Sequence, residues 1–324
     1  MSWTPQLCES SVVNARLLRI GWGPTPTNRI NYSGWLFLMT AVYLAIGVLA
    51  FAAWRITGSD SYVRTFFQVP GAVLLVFLAA AQLWFSSQVL RQFGPGEAMR
   101  GVWLCITASA AFDLGGAMCS QILSLDSPVN PLRHIAWWST ASATMIRSYG
   151  QLLGGTCRFT LLAVAIGLAL QAYRSTRLLG RLKAFDWILL LGMGGFVMAE
   201  LWDIVQVAAG NGRPVSLAEM ASWPVDTILW LLLAEALLLY RSARRMESGW
   251  LGLSWKALAV GVFLISLGTV SLWASRWGII PWPWSALFWY IWLPAATAFA
   301  LGPAYQLEAI QAAYAAGAAD KSRA

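Results

Sequence analysis

The chain has 324 residues, 58% of them hydrophobic and only 11% charged, with a mean hydropathy of +0.61. A soluble domain carries about a quarter charged residues, so the composition excludes one and leaves an all-α, polytopic integral membrane protein. The net charge of +8 does not mark a nucleic-acid partner, because most Lys and Arg stand in short loops beside apolar stretches, where they set topology.

Residues 1–34 form a polar tail interrupted by Pro24 and Pro26, with no signal-peptide pattern ahead of Trp35. Within it Val13, Leu17 and Ile20 share a helical face beside Arg16 and Arg19, the pattern of a short helix lying on a membrane surface. Apolar stretches able to cross the hydrocarbon at about 20 residues each then run at 35–54, 70–90, 101–123, 150–172, 186–208, 223–240, 257–275 and 284–302. These eight predicted spans make a helical bundle over residues 35–303. Residues 124–149 form the longest connection, with Pro128, Pro131, His134, Trp137 and Trp138, and read as a short helix crossing the outer surface. Pro294 and Pro303 predict a kink, and 304–316 reads as an alanine-rich helix leaving the membrane within a tail of 304–324.

Three times an apolar helix passes through a basic turn into a second apolar helix with a tryptophan near its start. The turns hold Arg91 and Arg100, then Arg174, Arg177, Arg181 and Lys183, then Arg241, Arg244, Arg245 and Lys256; the tryptophans are Trp103, Trp187 and Trp255. Arg16, Arg19, Arg29, Lys321 and Arg323 fall on the same side as the turns, against Arg55, Arg64, Arg133, Arg213 and Arg276 on the other. Basic residues collect in cytoplasmic loops. The expected placement is therefore a multi-pass protein of the inner (plasma) membrane with both termini cytoplasmic. Tyr173-Arg174 and Tyr240-Arg241, each followed by Ser, and glycines recurring in the second helices suggest three related hairpins. All open the same way, a parallel repeat and not an inverted one. Convergence at the membrane surface is the alternative, since helix ends there attract aromatic and basic residues whatever their ancestry.

Ionisable side chains inside a membrane are costly and are functional candidates by default. Asp113 lies near the middle of the third span. Arg158 and Glu200 lie at comparable depths, about 12 Å below the outer ends of the fourth and fifth, and an ion pair between them is expected. Asp203 and Gln206 continue from Glu200 at i+3 steps, and Gln151 shares the Arg158 face. Together they predict a polar seam in the outer half of the membrane, read either as a proton or ion path or as a structural clamp. The clamp is favoured because Glu235 alone continues toward the cytoplasm. Asp226 reads either as solvated near the outer surface or as a helix N-terminal charge after Pro224.

The single histidine, His134, is outside every span, which argues against haem and histidine-ligated metal. Cys8, Cys105, Cys119 and Cys157 form no C-x-x-C pair. No phosphate-binding loop, nucleophile elbow or zinc-protease motif occurs, so no cofactor, metal or enzymatic activity is expected. Of the twenty tryptophans, Trp137, Trp138, Trp273, Trp277, Trp282 and Trp284 gather at the outer side, where an aromatic belt or a face for a partner protein or lipid accounts for them. The expected function is a non-enzymatic membrane module, a subunit of a larger assembly or a sensor acting through a partner. The alternative is a proton- or ion-coupled transporter or channel using the Arg/Glu/Asp seam.

Overall fold

A computed structural model describes residues 31–122, 140–174, 180–210, 217–245, 250–276, 278–281 and 284–321. Among the described residues it is all-helical, with eight long helices. They are α1 (Tyr32–Thr57), α2 (Ser61–Leu90), α3 (Ala98–Ala117), α4 (Thr140–Arg174), α5 (Ala184–Ala208), α6 (Leu217–Arg245), α7 (Trp250–Arg276) and α8 (Trp289–Lys321). Helices suit apolar segments of this length because each backbone group finds its partner within the segment. Asn31 caps α1, its side chain accepting from the Gly34 amide at 2.7 Å. Gly58 ends it in a left-handed turn at φ +72°. In α2, Pro70 lacks the amide a regular helix needs, and the backbone widens into a π-type turn over Phe67–Gly71.

Seven helices, α1 to α7, are long and apolar enough to cross a membrane. The last helix, where an eighth span was expected at 284–302, is not among the seven. It nevertheless packs deeply, with Leu293, Phe299, Ala300 and Ala304 buried. Of the expected outer connection, residues 124–139 lie outside the described residues, and 140–149 form the start of α4. Asp226 is not at a helix start: α6 begins at Leu217, and Asp226 is buried within it.

Six helices close a ring in the order α2, α3, α4, α6, α7, α8 and back to α2, while α1 lies outside against α8, and α5 outside against α6. The two outer helices are the least buried of the seven. Hydrogen bonds along their length join α1 to α8. Ser33 donates its amide and hydroxyl to the Glu308 carboxylate at 2.9 and 3.1 Å, Thr40 and Thr297 share a hydroxyl bond of 2.7 Å, and Tyr290 donates to the Leu44 carbonyl at 3.4 Å. Residue numbers rise along α1 as they fall along α8, so the two helices are antiparallel and α1 begins at the end of the bundle where α8 ends. The side chains of Trp84 and Gln88 on α2, and of Gln92 just beyond its end, meet those of Leu307, Gln311 and Tyr314 on α8 around a cleft of about 280 Å³ at this same end. It is called the basic end below.

The three hairpin tryptophans do not share one environment. Trp103 and Trp255 are fully buried inside the ring, their centroids 5.9 Å apart, whereas Trp187 on α5 is 54% exposed.

Candidate functional site

The interface of α3 and α4 is built on glycine. A Cβ on Gly154 would stand 2.9 Å from the Cα of Gly116 and 3.2 Å from the Phe112 carbonyl oxygen, and one on Gly150 would collide with Cys119. Small residues four apart let two backbones approach closely, a standard way of joining helices where lipid removes the hydrophobic drive. One turn along the same interface, Arg158 Nη1 meets Asp113 Oδ1 at 2.6 Å, and the Ser109 hydroxyl donates to the Arg158 carbonyl at 2.9 Å.

Arg158 is thus neutralised by Asp113 on the preceding helix, not by Glu200 as the matching depths suggested. Its helix packs against α3 and α6, whereas Glu200 belongs to outer helix α5, which packs against α6 and touches α7. Similar depth on consecutive helices did not make them neighbours. The guanidinium is enclosed by aromatic faces, its Cζ lying 5.0 Å from the Phe159 centroid and 4.7 Å from that of Phe299 on α8. Gly261 leaves room for Phe299, since a Cβ there would stand 3.0 Å from its ring. Both charged side chains are largely covered, at 13% and 16% exposure. In such surroundings a cation over an aromatic ring is worth about 2 kcal/mol.

The other expected seam residues do not converge on this pair. Glu235 lies on α6 against α4, its Oε1 3.5 Å from where a Cβ on Gly167 would be, and its Oε2 is buried without a partner among the described residues. Gly167 is nine residues from Arg158, about 13 Å along α4. Glu200 is buried on α5, and Asp203 and Gln206 are partly buried there. The side chain of Gln151 lies outside the described residues. So do Trp137, Trp138, Trp277 and Trp282 of the expected aromatic face, together with His134. Trp273 departs from that expectation: only 5% exposed, it packs edge-on against Phe196 of α5 at 5.4 Å. Trp284 is 42% exposed and sits in a cluster with Phe51, Trp54 and Arg55.

A second charged site at the basic end escaped the sequence reading. Asp186, in the first turn of α5, accepts from Arg241 Nε and Nη2 on α6 at 2.9 and 2.7 Å and from the Lys183 amide at 2.8 Å. Beside it the Gly180 amide donates to Ser242 Oγ at 2.9 Å, and Gly180 lies so close to Arg241 that no side chain fits. The cation that appeared only as a topology marker is a two-pronged clamp fastening the α4–α5 turn to the end of α6. The usable signals were an acid at the third position of α5, where it can reach back to the helix-start amide, and the Gly150-x-x-x-Gly154 spacing for the α3–α4 crossing.

The chain matches no protein-family model, curated protein or solved structure. Among the described residues no cluster of His, Cys, Asp or Glu is placed to hold a metal ion.

Proposed function

We propose that this protein is a non-enzymatic inner-membrane bundle of eight crossings with both termini cytoplasmic, serving as a subunit of a larger membrane assembly or as a sensory module acting through a partner. The orientation rests on the excess of Lys and Arg at the basic end. The even number of crossings is supported by α1 and α8 running antiparallel with the chain's two described ends at one face. The observation that carries the reading is the enclosure of Arg158. Its charge is met by Asp113 and covered by two phenyl rings, with Glu235 about 13 Å further along α4 and Glu200 on the outer helix α5. Such a pair holds helices in register and does not pass an ion along. Purification from the native membrane in mild detergent should bring a stoichiometric partner; a monodisperse lone protein would count against the proposal.

One observation favours the second reading, a proton- or ion-coupled transporter. Glu235 presents a buried carboxylate oxygen with no protein partner among the described residues, on the α4–α6 interface between Arg158 and the basic end. In proteoliposomes Glu235→Gln would then abolish a flux that the wild type shows; absence of flux in the wild type under varied gradients removes this reading.

A further inference from the structure

The cleft at the basic end changes character along its length. Tyr32 of α1 meets Phe85 of α2, and Tyr43 meets Phe66, so α2 is antiparallel to α1 and runs alongside α8 toward the basic end. On α2, Trp84 and Gln88 stand one turn apart on one face, and Gln92 continues that stripe beyond the helix end. On α8, Leu307 and Ile310 lead in the same direction to Gln311 and Tyr314. Trp84 lies about 9 Å inside the end of the apolar α2 segment, whereas Gln92 is past it. One end of the cleft is therefore aromatic and aliphatic, at the depth of lipid chains. The other is lined by carboxamides and a phenol, at the level of lipid head groups.

The third wall is fixed in advance. The Tyr32 ring packs edge-on against Trp84 and Phe85 at 5.9 and 5.2 Å. The next residue, Ser33, is held through its amide and its hydroxyl by the buried carboxylate of Glu308, which engages the acid that follows Leu307. None of the eight described residues lining the cleft is charged. Trp84 and Tyr314 are 47% and 66% exposed, so both rings present free faces.

These features select an occupant. At about 280 Å³ the cleft is just below the usual range of ligand sites, about 300–1,000 Å³, so it takes a head group and not a whole lipid. A phosphate head would give up hydration without a cation to replace it. Carboxamides and phenols both donate and accept, which suits uncharged oxygens, and aromatic faces suit a ring. We propose that this cleft binds the uncharged, oxygen-bearing ring head of an amphiphile entering from the leaflet at the basic end, its chain passing over Trp84. A quinone and a glycolipid share that chemistry. The inference rests on the bundle lying in a membrane and not on either function proposed above.

The test melts the full-length protein in mixed micelles of phosphatidylcholine and a zwitterionic detergent. The probes are a decyl-substituted benzoquinone and a monoglucosyl diacylglycerol, with phosphatidylglycerol as the charged comparison. A ligand that binds the folded state raises the midpoint. At least one ring-headed probe should raise it saturably while phosphatidylglycerol does not, and the probe that works tells quinone from glycolipid. Gln88→Leu combined with Gln311→Leu should melt like the wild type without probe and need about tenfold more probe for half the shift, the effect of two lost hydrogen bonds. Tyr314→Leu, at an exposed ring, should also weaken the shift and does not depend on that double variant folding. No saturable shift with either ring-headed probe overturns the site, as does an equal shift with phosphatidylglycerol or a shift that these substitutions leave unchanged.

Discussion

Replacing Asp113 with Asn keeps the shape of the side chain and removes its charge, leaving the Arg158 guanidinium enclosed by Phe159 and Phe299 with no counter-ion. Losing one partner of a buried pair costs about 3–5 kcal/mol. With the two side chains still 13% and 16% exposed, the lower end applies, about 3 kcal/mol, more than a hundredfold in the folded-to-unfolded ratio. The paired change Asp113→Leu with Arg158→Met removes both charges, and apolar replacement of a whole buried pair is often neutral, so it should cost far less than the sum of the single changes. The assay is a double-mutant cycle on reversible unfolding in mixed micelles, with Glu200→Gln crossed against Arg158→Met for comparison. Coupling of about 2 kcal/mol or more is expected between Asp113 and Arg158, and none between Glu200 and Arg158. If Asp113→Asn melts like the wild type, or the coupling appears with Glu200, the assignment of the pair is wrong.

Gly154→Ala should destabilise by about 1–3 kcal/mol, because its Cβ forces apart two touching backbones. Gly192→Ala on α5 meets nothing within 4 Å and should stabilise by up to about 1 kcal/mol through helix propensity; the same unfolding assay checks both. Asp186→Asn weakens the contact with Arg241 and should loosen the α4–α5 turn by about 2 kcal/mol, seen as faster proteolysis near Arg181 in inverted vesicles without loss of the bundle. Thr40→Val removes the hydroxyl bond to Thr297 and should cost about 0.6–1.7 kcal/mol. Thr297→Val in addition should cost little more, a sub-additivity read by the same cycle.

What the amino-acid sequence determined by itself is local and additive along the chain. Trp35 to Trp54 in its first span, or Ala257 to Ser275 in its seventh, is apolar over a membrane-length run whatever its neighbours do, so the helical class and the first seven spans were legible. The basic turns around Arg91, Arg174 and Arg241 were legible for the same reason. Asp113, Arg158 and Glu235 stood out as costly residues because their penalty depends on depth, which residue counting gives. The eighth segment was harder, since Pro294, Pro303 and Gln306 lower its apolarity while packing against α1, α2 and α7 places it in the bundle.

The tertiary structure decided which faces meet. Helices apolar nearly all round do not announce a core-facing side, so nothing in the spacing told that Trp103 and Trp255 are central while Trp187 faces outward, or that Trp273 is core. Ring order depends on contacts between residues far apart in the chain: Gly116 against Gly154, Gly261 against Phe299, Thr40 against Thr297. Those contacts place α5 outside the ring. That exclusion separates Glu200 from the core of the bundle and leaves Asp113 as the acid that neutralises Arg158.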